Sequence, residues 1–431
     1  MIVKGRKDNC PGRRFMDKRT FLRSLGVAGL TSMVGDDLWA RYSSLSPDRL
    51  AEDEKYWATI RRHYRLTTDY INLENGYYSM QARPVLEAFI GRVRTANFEA
   101  SHYLRTRQYD DKLAVRKRLA TLAGCSHEEL IITRNTTESL DTVITGFEWE
   151  SGDEAVMAEQ DYGAMLDMFK LQARRYGMVN RVISLPMNPA SDDEIVELYE
   201  RAITPSTQLL MVPQLVNITG QILPVAKIAD MAHRHDVQVM VDGAHAFAQL
   251  DFHIPDLHCD YYGASLHKWL GAPLGAGILY VQRERITPLW PIYADSTMAD
   301  DDIRKLNHTG THPVHTDLAI NDAIDYHLAI GIARKEARLR FLQRHWTDQV
   351  RGVRGIVLNT PDDPRRSCAI ANVGIAGMNP ADLAKTLLER YKIWTVAIDV
   401  AGVHGARITP HLYITTPELD TLVRALKELA A

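Results

Sequence analysis

A chain of 431 residues has the length for about two or three domains and can bury a large core. Lys and Arg number 51 against 54 Asp and Glu, a balance without the strong basic field that nucleic acid or an anionic membrane would need. The composition, 45% hydrophobic and 24% charged, is that of a soluble enzyme. Cys10, Cys125, Cys259 and Cys368 lie far apart with no CxxC pair, which argues against a disulfide scaffold or a thiolate zinc site.

Residues 1–45 read as a leader. Basic residues precede a modest apolar run from Leu25 to Val34, too short to span a bilayer but suited to an export signal, with Ala40 as a candidate end. "DKRTFLR" resembles the twin-arginine export signal, with Lys18-Arg19 in place of two arginines; an amphipathic or unfolded leader is the other reading. Cytoplasmic and exported locations therefore both stand. A segment over 46–80 follows, and from 81 the main body begins.

From about Glu128, "EELIITR", "EAVMAE", "NRVISL", "TQLLMVPQL", "VQVMVDG", "YYGASL" and "GAGILYV" are apolar runs of strand length. Amphipathic stretches such as "TTESLDTVITGF" and "PVAKIADMAHRH" alternate with the first five, and Pro224 suits the first turn of the latter. That alternation predicts a mostly parallel sheet covered on both faces, over 81–300. After Asp300 the rhythm changes. One long helix, "DLAINDAIDYHLAIGIARKEARLRFLQRHW", precedes strands and a closing "TPELDTLVRALKEL" helix, which predicts a smaller α+β domain over 301–431. No internal repeat or low-complexity segment is present.

Ligands of open α/β sheets sit at the carboxyl ends of the strands, so the polar residues there are the candidates. Thr136 and Thr137 open a helix where N–H groups favour an anion such as phosphate, or else form an ordinary cap. Tyr162 follows a strand and could stack on a planar ring or sit at a surface. Asn217 could bond a ring hydroxyl or hold a turn before Gly220. Asp242 ends an apolar strand, where a buried carboxylate needs a partner such as a protonated pyridine; capping of the next turn is the alternative. His245 follows three residues on. Ser265 and His267 can donate to phosphate, and Lys268, in "GASLHKWLGAPLGAGILYV", is placed to form a Schiff base. Each signal is weak alone; their succession along one series of strand ends is the specific part.

"VDGAHAFAQL", "SLHKWLGAPLGAGILYV" and "ARITPHLYITTPELD" together resemble the class V aminotransferase group of pyridoxal-phosphate enzymes, and within it the isopenicillin N epimerase-like proteins; cysteine desulfurases are more distant. The resemblance runs from about Asp69 to the C-terminus. It implies a pyridoxal-phosphate-dependent transferase fold of type I, with a large mostly parallel sheet domain and a smaller α+β C-terminal domain. It further implies Lys268 as the Schiff-base lysine, Asp242 at the pyridine nitrogen, and Thr136, Thr137, Ser265 and His267 at the phosphate. His245 and Asn217 would meet the ring hydroxyl, and Tyr162 the ring face. Thr311 matches a position that reaches the phosphate of a neighbouring subunit, which implies a homodimer. Arg407 matches an arginine that clamps a substrate carboxylate, and Tyr77 and Tyr78 border the substrate. The implied reaction breaks a bond at Cα of an amino acid or peptide-like amino acid: epimerisation first, with β-elimination or transamination on the same scaffold.

The desulfurases' nucleophilic cysteine is missing: the matching region reads "DVAGVHGARIT", with His404 near the place, while Cys368 belongs to an earlier apolar run. A metal-dependent hydrolase is a different reading, from His308, His312 and His315 with His253 and His258. Gly310 and Pro313 disfavour a helix there, and the glutamate of an H-E-x-x-H site is absent. A binding module that keeps only the pocket is disfavoured because Lys268, Asp242 and Arg407 are all retained.

Overall fold

All seven apolar runs become strands, because a strand covered on both faces is stable only as a near-continuous apolar run. The structure is a computed structural model that describes residues 45–431 together with Tyr42; the expected leader's basic stretch and apolar run lie outside the described residues. After two helices, α1 (Arg83–Thr106) and α2 (Gln108–Ala123), the chain alternates. It runs β1 (Leu130–Thr133), α3 (Thr136–Gly146), β2 (Glu154–Ala158), α4 (Gly163–Tyr176), β3 (Val179–Ile183), α5 (Asp192–Ala202), β4 (Thr207–Pro213), α6 (Val225–His233) and β5 (Gln238–Asp242). Two strands close the series, β6 (Tyr261–Ser265) and β7 (Gly277–Val281).

They form one sheet of order β1-β7-β6-β5-β4-β2-β3. Only β7 runs against the others, pairing antiparallel with both β1 and β6. The central strands are buried apart from Gln208 and Gln238 near their starts, whereas β3, at an edge, has no buried residue. Pro224 is the cap just before α6 rather than a residue of its first turn.

The long helix expected over 317–346 is instead two, α7 (Val314–Ile330) and α8 (Ile332–Val350). Gly331 separates them with φ 88° and ψ 133°, a conformation no helix interior tolerates and that suits glycine. Apolar spacing continues across the break, which is why the sequence reads as one helix. Next come β8 (Ile356–Leu358), β9 (Ala371–Ile375), α9 (Pro380–Tyr391), β10 (Val396–Val400), β11 (Val403–Ile408) and α10 (Thr416–Ala430). The four strands make an antiparallel sheet of order β10-β11-β9-β8. Its apolar face packs on Leu342, Trp346, Leu387, Leu422 and Leu426 of the helices.

Residues 71–72 pair in parallel with 393–394, and Leu73 is buried in that second core. The segment before α1 thus forms its own two-stranded ladder with the C-terminal domain and packs into that domain's core. No described helix is long and apolar enough to cross a membrane.

Candidate active site

The carboxyl ends of β1, β4, β5 and β6 meet in one crevice. Asp242 is the last residue of β5, in register with Pro213 of β4 and Gly263 of β6. Its carboxylate is buried and accepts the Ala244 N–H at 2.9 Å. Burial raises its pKa, while that backbone bond and the Lys268 ammonium pull it back down. Such a carboxylate suits a cationic partner.

Lys268 lies three residues beyond β6, and its Nζ is 3.1 Å from Nε2 of His245. The Trp269 indole N–H donates to His245 Nδ1 at 3.4 Å, which leaves the imidazole proton on Nε2, facing the amine. Burial, then the charges of Lys268 and Arg407, hold His245 well below the ordinary histidine range, so the ring is neutral. Burial also lowers Lys268 to about 8; Asp242 and Glu74 oppose the shift and Arg407 adds to it. An amine depressed this far is partly uncharged near neutral pH, the form that attacks a carbonyl or takes a proton.

The N-terminus of α3 faces the same crevice. Thr136 donates its N–H to Ser265 Oγ at 2.9 Å, and the two hydroxyls are 2.7 Å apart. Gly277 permits the approach: a Cβ there would stand 2.7 Å from the backbone of Asn135. The Thr137 hydroxyl has no hydrogen-bond partner among the described residues. His267 Nδ1 is buried without one, and burial, then Lys268, pushes that ring down to about 4. A helix N-terminus, three clustered hydroxyls and an orphaned ring nitrogen fit a phosphate group; Asp242 fits a pyridinium nitrogen.

Arg407 enters from β11 and is itself occupied. Its Nη2 donates to Glu74 Oε1 at 2.7 Å and its Nε to Oε2 at 3.3 Å, while Nη1 donates to the Asn217 carbonyl at 3.3 Å. Both side chains of the ion pair are over nine-tenths buried. Glu74 is fixed further by the Tyr77 N–H, at 2.9 Å, and by a bridge to Thr409, two residues beyond Arg407. Neither Glu74 nor Trp269 stands out in the sequence. A carboxylate beside buried Leu73 is the available signal, but its partner lies 333 residues away.

Asp242, His245, His267 and Arg407 thus interact electrostatically with Lys268, Thr136 bonds Ser265, and Asn217 bonds Arg407. Other candidates are not. Tyr162 is the exposed cap of α4, with no described ring stacked on it. Thr311 is exposed, three residues before α7. Tyr77 is 76% exposed, whereas Tyr78 is half-buried. His404 is the second residue of β11, exposed and paired with Asp399 at 2.5 Å. Cys368 is buried, and burial pushes its thiol up to about 12, which makes it a poor nucleophile.

The histidines of the metal reading disperse: His308 to Asp295, His312 to Asp317 and Lys112, His315 onto the Phe89 ring. Among the described residues no three His, Cys, Asp or Glu side chains gather as a metal set.

Residues 79–425 match the family model described as aminotransferase class-V. The isopenicillin N epimerase of Amycolatopsis lactamdurans is 31% identical over 394 residues, covering 87% of this chain and 98% of its own length. The cysteine desulfurase of Thermococcus onnurineus NA1 has a similar structure, with TM-score 0.76, 20% identity and coverage of 86% and 98%. So has a C-DES mutant with glycine covalently linked to its PLP cofactor, with TM-score 0.75, 20% identity and coverage of 85% and 99%.

Proposed function

This chain belongs to the class V aminotransferase family, and on that premise we propose that it acts at Cα of an amino acid or peptide-like amino acid, with epimerisation foremost. Its fold is the type I fold of pyridoxal-phosphate-dependent enzymes, and its cofactor is pyridoxal 5'-phosphate. The observation that carries the proposal is the desolvated Lys268 amine, 3.1 Å from a neutral His245 at the strand ends beside Asp242.

In this reading Lys268 Nζ holds the cofactor, and Asp242 meets the ring nitrogen. Thr136, Thr137, Ser265 and His267 hold the phosphate, Asn217 and His245 the ring hydroxyl, and Tyr162 a ring face. When bound, the cofactor supplies an electron sink that weakens bonds at Cα. Lys268 Nζ, when free, would take the Cα proton, and its lowered pKa suits that role. Neutral His245 keeps its Nε2 proton directed at the amine. Arg407, already oriented by Glu74, offers its remaining N–H donors to a substrate carboxylate. Tyr77 and Tyr78 form the substrate's rim. Exposed Thr311 supports a homodimer in which it reaches the partner's phosphate site.

The absence of cysteine from the β10–β11 hairpin and the inert Cys368 disfavour persulfide chemistry. Incubating the protein with L- and D-amino acids and small peptides in D₂O, followed by mass spectrometry and chiral chromatography, tests the proposal. Deuterium at Cα with inversion is the epimerase result. A keto acid, or a released thiol, ammonia or pyruvate, would replace it with transamination or elimination.

Two further outcomes follow from the site. Asp242→Asn should keep the cofactor bound and lower turnover by about 10²-fold, the scale for losing one preorganised electrostatic contact; steady-state kinetics with cofactor content measured in parallel checks it. Covalent cofactor uptake by the apo-protein should speed up as pH rises and level off above about 8, as Lys268 loses its proton. An ordinary lysine would go on gaining to ~10.4. Stopped-flow absorbance reads the midpoint.

A further inference from the structure

Behind Lys268 lies a second buried cluster that the proposed reaction does not use. Trp269 separates the two. Its indole N–H donates to His245 on one side, and its carbonyl accepts from Lys335 Nζ on the other. Lys335 is in the first turn of α8, and His327 is in the last turn of α7. His411, in the loop after β11, stacks on the Trp269 ring with centroids 5.6 Å apart at 14°.

These three side chains, with Tyr64 and Tyr326, line a largely closed cavity with room for about one water-sized guest. Lys335, His327 and His411 are each 3% exposed. Nδ1 of His327 and both ring nitrogens of His411 are buried with no hydrogen-bond partner. Among the described residues lining the cavity there is no carboxylate.

A buried amine without a counter-charge is costly, and orphaned buried nitrogens normally have a partner. Burial lowers Lys335 to about 7; burial first, and then the Lys335 charge, holds both histidines well below their ordinary range. An anion there would offset the Lys335 charge and accept one N–H from each histidine ring; the space limits it to a small, singly charged one.

We propose that this cavity binds a monovalent anion of chloride size, held by Lys335, His327 and His411. Larger anions such as sulfate exceed the space. Bound there, the anion keeps Lys335 protonated and bonded to the Trp269 carbonyl, one residue from Lys268.

The test uses the cofactor-loaded protein at fixed ionic strength. Sodium chloride or bromide replaces sodium gluconate stepwise while the thermal unfolding midpoint is read. The midpoint should rise by a few degrees and saturate with chloride and bromide, as expected for a ligand of the native state. Crystals grown in bromide should show an anomalous peak in the cavity. Lys335→Met should remove the halide dependence; if that variant does not fold, the bromide position in the natural protein decides. Equal midpoints in chloride and gluconate, or water in the cavity with bromide only at the surface, would overturn the proposal.

Discussion

Lys268→Ala should remove the near-visible absorption of the lysine-bound cofactor and cut turnover by about 10³-fold, within the range for losing a general base. The variant should still fold: Lys268 sits in a turn, and its side chain's one hydrogen bond is to His245. Circular dichroism separates loss of chemistry from loss of fold. Small primary amines added to the variant should restore part of the activity, because the missing function is an uncharged nitrogen at a known place. A variant that kept the band, with cofactor still reducible onto the chain, would remove Lys268 from its proposed role.

The second large effect concerns stability. Glu74→Ala leaves the Arg407 guanidinium buried with only the Asn217 carbonyl as acceptor. Breaking a buried pair by deleting one partner costs about 3 kcal/mol, much of it from the stranded charge. Arg407→Ala should cost a similar amount by stranding Glu74, which would keep only the Tyr77 N–H. The double variant should then lose markedly less than the sum of the two. Urea unfolding of all four proteins, with unchanged slopes, gives the coupling directly. Additive losses would mean that the pair is not the unit the geometry describes.

The large sheet is legible in the sequence because each buried strand is a largely apolar run, and β1, β5 and β6 end in a polar residue. Those ends point to Asp242, Ser265 and Lys268 from the residues alone. Gly331 is not legible as a break, since apolar spacing continues through it and one glycine is tolerated in many helices. Glu74 is hidden for another reason. Its role depends on a bridge to Thr409 that joins opposite ends of the chain. Lys335 and His411 carry no local signal in the sequence; only packing brings them behind Trp269. The proposed reach of Thr311 crosses a subunit boundary, which no local pattern encodes.

Among the described residues two lysines are buried with strongly lowered pKa values, Lys268 at about 8 and Lys335 at about 7. Both amines are depressed enough to be reactive, and they lie on opposite sides of Trp269, but only Lys268 faces the strand-end crevice. Borohydride reduction of the loaded protein, followed by proteolysis and mass spectrometry, identifies which one bears it. A pyridoxyl group on the peptide containing Lys268 is the predicted result. The same group on Lys335, or on no lysine at all, would contradict the site.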